Sequence, residues 1–501
     1  STSGVSGTDA ASRAPSVAYL SGTLFVAWQQ EAPLLPTDIY AARYSGGAWS
    51  AAGAGALSAG GVSHSTGIAM QPRLAANGGK LHLTWADTPL QFQTNPGINI
   101  YARVWDGTDF IEEVPGDASY QGIGQASAYS RTLALSVDGI GHPFVAWDDI
   151  ASGTAAVYVR GNTLDLHQLF MADSATTIQS ILDSQSLGRG DVIAVKPATI
   201  YSLGLSIGSA DAGVLILGAP DGTTIIQGAV NISGTAGVML QRLTINGGII
   251  SNNSDGLALI GNIIRAGGLT LNGGADVRVV GNSFSGTVGV RFAAPATGYI
   301  ARNSMRVTTT GMDIAANFTG LIYGNDISGA STGISYAAPS TLSANQIHGG
   351  TTGVNITATG EAFGLGYVGI ARANQIYGNQ TGVTVASGAR VRGQHIYNNA
   401  TGVAGSGVLG GNDLDTANLI EGNTIGVNFT GTIQFNRIAS NGTGITVNSG
   451  QAILHNLIYR NTQTGILIAG DSDVRVISNT IYSPLGDSVR VQGASSNVEI
   501  R

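Results

Sequence analysis

From about residue 190 to the end of the chain, apolar and polar residues alternate in short runs punctuated by glycine, asparagine and aspartate. A period of two marks strands with one buried face. The runs also repeat. Asparagine, any residue and isoleucine lead, after a variable gap, to glycine followed by valine or isoleucine, as in Asn325-Asp-Ile-Ser-Gly-Ala-Ser-Thr-Gly333-Ile334, Asn345-Gln-Ile to Gly353-Val354 and Asn374-Gln-Ile to Gly382-Val383. The leading asparagines fall at 262, 282, 303, 325, 345, 374, 418, 436, 456 and 479, and Gln241 and Gln394 are read into the same place. Most steps are 18 to 24 residues, the length of one solenoid turn.

Stacking such turns at about 4.8 Å aligns equivalent side chains in columns. An inward asparagine then bonds to its copies above and below, forming a ladder. The isoleucine two residues later points inward, and the glycine-valine pair is read as a tight turn into the next strand. About fourteen coils predict a rod roughly 65 Å long.

The first part of the chain has a different pattern. Leu24-Phe-Val-Ala-Trp28 leads to Ile39-Tyr-Ala-Ala-Arg43, Leu81-His-Leu-Thr-Trp85 to Ile100-Tyr-Ala-Arg103, and Pro143-Phe-Val-Ala-Trp147 to Val157-Tyr-Val-Arg160. All five tryptophans and eight of the thirteen prolines precede residue 148, so two architectures are expected. The predicted organisation is an antiparallel β module of three blade-like repeats at 1–165, a linker and cap helix at 166–189, and a β-helix at 190–501. The helix is placed at 173–188 because Ile178, Ile181 and Leu182 share one face, Asp173 or Ser174 can cap it, and Gly188 can stop it.

The repeat resembles the NosD-like or pectate-lyase-like right-handed parallel β-helix of large bacterial secreted and surface proteins, and the N-terminal units resemble sialidase-like propeller blades. The resemblance implies an all-β fold, right-handed parallel β-helix behind an antiparallel β module, and an extracellular or cell-surface location. The activity stays open, since this repeat serves lyases, epimerases, tailspikes and adhesins. Ser136-Val-Asp138-Gly-Ile-Gly141 is similar to a sialidase Asp-box but departs from its spacing. Asn497-Val-Glu-Ile-Arg501 reads as a strand, and the chain starts at Ser1 without a signal-like segment, so a piece of a longer protein is expected.

Composition narrows function. Charged residues are 11% of the 501, the net charge is −7, and Lys80 and Lys196 are the two lysines, which argues against a nucleic-acid partner. No apolar run reaches the length of a membrane span. Without cysteine there is neither a disulfide nor a thiolate metal site.

The strongest chemical grouping is Arg390, Arg392, His395 and Tyr397, with Arg372 and Tyr377 one coil earlier. An arginine to neutralise a uronate and a histidine or tyrosine to move its proton are what a polysaccharide lyase or C5-epimerase needs. Arg372, Tyr377 and Tyr397 are the candidate ligand-binding residues. The tyrosine column runs from His348 through Tyr377 and Tyr397 towards Tyr459 and Tyr482, which fits outward stacking as well as a site. Asp413 and Asp415 are the candidates for Ca²⁺, although two carboxylates are few. The favoured function is an extracellular structural or adhesive segment: a rigid spacer carrying a β-rich, carbohydrate-binding module, with polysaccharide or neighbouring copies as partners. The alternative is a lyase or epimerase acting on the β-helix face.

Overall fold

The computed structural model describes the chain apart from residues 1–4, 7–10, 32–36, 59, 66, 89–97, 114–116, 119–121, 124–129, 150–155, 162–168, 189–190, 220–221, 358–361, 365–372 and 387. A parallel β-solenoid of about fourteen turns extends from 169 to 500. Its strands pair in parallel with the equivalent strand one coil on, as Asp326–Ser328 with Gln346–His348 and these with Gln375–Tyr377. One continuous core runs down the axis and includes Ile327, Ile347, Ile376, Ile396, Ile420 and Ile438, each at most 1% exposed.

The asparagine ladder stands at every leading position quoted above. Asn325 shows its wiring: Nδ2 donates to Asn345 Oδ1 at 2.8 Å and to Ile300 O at 2.9 Å, and the Asn325 N–H donates to Asn345 Oδ1 at 3.0 Å. Gln394 fills one rung, accepting from Asn374 Nδ2 at 2.8 Å. Gln241 does not. It pairs with Ile260, which places Leu243 opposite Asn262, so the expected rung at 241 is two residues out of register.

The glycine of each repeat also has a different cause from the one expected. Gly333, Gly353 and Gly382 lie inside strands at ordinary backbone angles, so they mark no turn. A Cβ on Gly353 would lie 2.5 Å from Gly382 O, 2.7 Å from Ile376 Cγ2 and 2.9 Å from Asn379 Nδ2. Glycine is needed for close approach to the next coil, and at Gly353 and Gly382 it also leaves room for a second ladder that the motif did not reveal. Asn379, Asn399, Asn423, Asn441 and Asn461 form it, each Nδ2 reaching the next Oδ1 at 2.9–3.1 Å.

The helix is shorter than expected, Ile178–Ser184, and Thr177 caps it by accepting from the Ser180 N–H at 3.1 Å. Asp173 instead holds the preceding turn through the N–H groups of Ala175 and Thr176, which delays the helix by four residues. Ile178, Ile181 and Leu182 are buried in the solenoid core, as their spacing implied. A solenoid strand, Leu169–Ala172, already precedes the helix and pairs with Val192–Val195.

The described N-terminal residues form three antiparallel sheets: Ala11–Leu20 to Ala48–Ala51, Ile68–Asn77 to Phe110–Ile111, and Ser130–Val137 to Ala156–Gly161. The repeated Trp and Tyr sit opposite each other, Trp28 on Tyr40 and Trp85 on Tyr101, with ring centroids 6.2 and 5.9 Å apart. Three blades are too few to close a ring. The module instead docks on the solenoid: Val104 and Ile111 pack against Leu215, Leu217, Met239 and Ala258. The strand Leu215–Leu217 is consequently buried on both faces, which explains its unbroken apolar sequence.

Candidate functional site

The seam between module and solenoid is where polar chemistry is buried. Most coils have a left-handed residue immediately before the ladder position, and at 242 and 302 that residue is arginine. Arg302 donates through Nη2 to Asp38 Oδ2 at 2.8 Å and to Ser65 O at 3.0 Å, while Arg242 Nη2 reaches Asp106 Oδ2 at 2.7 Å. Each pair joins the rod to the module. Between them Arg278 donates to Ala118 O at 3.0 Å and to the Tyr299 hydroxyl. From the module, Arg103 Nη1 donates to Phe110 O at 2.9 Å.

These groups surround a cavity of about 400 Å³. Its lining includes His64, Arg103, Asp109, Arg242 and Arg302 over an apolar base of Val62, Phe110, Ile260 and Val280. Gly60 separates two of its polar groups: a Cβ there would lie 2.8 Å from Arg302 Nη1 and 2.9 Å from His64 Nδ1. His64 also borders a deeper void of about 10 Å³ beside Asp87, Tyr101, Arg278 and Tyr299. That is room for about one water molecule.

Burial governs the titrations. It lowers the His64 imidazole well below its usual range, helped by Arg103, Arg302 and Arg278, so His64 is neutral. It raises the Asp38 carboxyl, against the pull of Arg302. Asp87, which accepts from Ser65 Oγ at 2.7 Å, is pushed up to about 7, again by burial first. Nothing in the sequence motifs pointed to this seam. Its parts are single residues scattered from 38 to 302, and the available signal was the apolar runs of the covered strands.

The residues singled out from sequence lie elsewhere, on the outside of the rod. Val391 points inward between Arg390 and Arg392, so the two arginines share the outer face. Arg390 Nη1 donates to Asn412 Oδ1 at 3.1 Å. In the next strand of the same coil His395 and Tyr397 flank the inward Ile396. His395 bonds Gln375 Oε1 at 2.8 Å and Glu421 Oε1 at 2.9 Å through its two ring nitrogens. His348, Tyr377 and Tyr397 stack in successive coils, with centroids 4.7 and 5.0 Å apart. Register places Glu421 and Ala439 next in the column, so Tyr459 and Tyr482 form a separate pair. No hydrogen bond or ion pair among the described residues joins Arg390 or Arg392 to His395 or Tyr397. Arg372 lies outside the described residues.

Asp413 closes its own turn, accepting from Thr416 Oγ1 at 3.0 Å and from the Thr416 N–H at 3.1 Å. These bonds hold its carboxyl below the usual range. Among the described residues no three of His, Asp and Glu come together.

Residues 222–402 match the family model described as periplasmic copper-binding protein (NosD). No curated protein matches the chain. Among solved structures, the A-module of mannuronan C-5 epimerase AlgE4 from Azotobacter vinelandii is 15% identical, with 66% of this chain and 96% of that one covered and a TM-score of 0.25. The A-module of AlgE6 from the same organism is also 15% identical, covering 66% and 94%, with a TM-score of 0.27. A Yersinia enterocolitica family 28 exopolygalacturonase is 11% identical, covering 98% and 99%, with a TM-score of 0.29.

Among the described residues, no three of His, Asp and Glu come together as a copper centre's ligands would. Protein copper sites use converging imidazole and sulfur ligands. Here His348 is bonded to Asp326, His395 to Gln375 and Glu421, and His82 to Gly141 O, while His455 stacks on Phe435 and Met305 and Met312 are sealed in the core. What the sequence match and the stacked coils establish together is the repeat itself: this chain carries a NosD-like parallel β-helix.

Proposed function

We propose that the chain is an extracytoplasmic scaffold: a stiff rod that holds a β-rich module at a fixed angle and serves adhesion or presentation of a carbohydrate, with polysaccharide or neighbouring copies as partners. The observation that supports this is the docking of the module on the rod through the Arg302–Asp38 and Arg242–Asp106 bridges. Four groups anchored in two architectures fix the orientation of one against the other. The periplasmic description of the matched family favours a location beyond the cytoplasm, and no helix among the described residues is long and apolar enough to cross a membrane.

The lyase or epimerase alternative requires a base free to take a proton and a cation beside it. The His395 nitrogens are both engaged, and among the described residues no hydrogen bond or ion pair joins Arg390 or Arg392 to it. Incubation of the full chain with alginate, pectate and glycosaminoglycans is therefore expected to give no unsaturated product by ultraviolet absorbance and no epimerisation by NMR, with retention on at least one immobilised polymer. Turnover abolished by Arg392→Ala or Tyr397→Phe would overturn the scaffold reading and establish the enzyme.

A further inference from the structure

The turn residue before the ladder forms a column of its own, with the backbone in the left-handed region. Its occupants include Arg242, Arg302, Ala344, Phe435, His455 and Ser478, all with φ between 52° and 58°. Residues with large side chains are thus accepted at this position. On the two coils between Arg242 and Arg302, however, the residues are Gly261 and Gly281, in successive register through the pairing of Gln241, Ile260, Val280 and Ala301. A Cβ at either glycine would meet nothing within 4 Å. Packing therefore does not forbid a side chain there, and the left-handed backbone, strained for any residue but glycine, carries one on other coils. The pair leaves a notch, bounded at each end by an arginine, that spans three coil steps or roughly 14 Å.

The module roofs this notch to make the 400 Å³ cavity, a size suited to a small organic ligand. Three buried guanidinium nitrogens on its lining residues have no hydrogen-bond partner among the described residues: Arg103 Nε, Arg242 Nε and Arg302 Nη1. Arg103 itself is 5% exposed. Asp38 and Asp106 engage the other arms of Arg302 and Arg242 and are not among the described lining residues, of which Asp109 is the one carboxylate and accepts from the Phe110 N–H through Oδ1. Forked N–H donors on three sides of a pocket with an apolar base suit a planar or tetrahedral oxyanion attached to a small carbon skeleton.

We propose that the notch between Arg242 and Arg302 binds the oxyanion, carboxylate or phosphate, of a small organic molecule, held by rod and module together. The ligand bridges Arg103 on the module to Arg242 and Arg302 on the rod, so binding strengthens the docking of one on the other.

Isothermal titration of the full chain with sodium gluconate, inorganic phosphate and uncharged glucose tests this, alongside thermal melts. One of the two anions is expected to bind and to raise the midpoint, and glucose is not. Gluconate alone assigns a carboxylate, and phosphate alone a phosphoryl group. Gly281→Phe fills the notch with a side chain that the same turn carries at Phe435, and is expected to abolish binding while the ligand-free protein stays folded, its melt lowered only by the strain of a left-handed non-glycine residue. Arg302→Lys keeps a charge beside Asp38 but removes the second planar N–H, and is expected to weaken binding at least tenfold. Absence of binding by either anion, or equal affinity in folded Gly281→Phe and Arg302→Lys, would overturn the proposal.

Discussion

Asn345→Ala is expected to destabilise the rod by about 3 kcal/mol, since one substitution strands buried groups on both sides of the coil. Asn345 Oδ1 accepts from the Asn325 N–H and Asn325 Nδ2, and its own Nδ2 donates to Ile322 O and Asn374 Oδ1. Alanine removes all four bonds and leaves their partners in a site that is 0% exposed. Asn479→Ala is the internal comparison. Asn479 also makes four bonds, accepting from the Asn456 N–H and Nδ2 and donating to Ile453 O and Ile477 O, but in a partly buried setting where water can replace them, so it should cost markedly less. Denaturant titration followed by far-ultraviolet circular dichroism measures both. Equal midpoints for Asn345→Ala and the unsubstituted chain would mean that the rungs are dispensable.

The second large effect is on pH dependence. Asp87 is held at about 7 in the folded module against an ordinary 3.8. Its folded form therefore keeps a proton that the unfolded chain releases. This contribution is fully present below the unfolded value and is lost as pH rises from about 4 through about 7, where a three-unit shift corresponds to roughly 4 kcal/mol. The module is expected to melt at lower temperature at pH 8.5 than at pH 5. Asp87→Asn should flatten that difference and raise the midpoint on the alkaline side. Tryptophan emission isolates the transition, because all five tryptophans precede residue 148. A pH profile unchanged by Asp87→Asn would place the titration on another group.

The rod was legible because its physics is repetitive. Each coil must meet the same neighbours above and below, so Asn325, Asn345 and Asn374 recur with their isoleucines and write the ladder into the sequence. The second ladder was equally present: Asn379, Asn399, Asn423, Asn441 and Asn461 each stand five residues after a rung at 374, 394, 418, 436 or 456. It was missed because glycine was credited with making a turn when it was clearing space. Gln241 misled because its neighbourhood looks like a rung, whereas Leu243 holds the place opposite Asn262. The seam was not legible as a site. Asp38, His64, Arg103 and Arg302 carry no mutual spacing, since two independently patterned units bring them together. Its trace was indirect: Val214-Leu-Ile-Leu217 and Leu257-Ala-Leu-Ile260 lack the alternation of the later coils, as strands covered on both faces do.

The two ladders and the strand pairings all lie along the axis, joining each coil to its neighbours above and below. A pull on the last coil meets those bonds in series, so tension detaches one turn at a time and never shears the whole stack at once. For turns of some twenty residues, each rupture releases about 70 Å of chain. The rod should thus extend under load as a train of similar small steps, each halting at the next rung. A tether built this way yields length under a sudden tug and keeps every remaining coil intact.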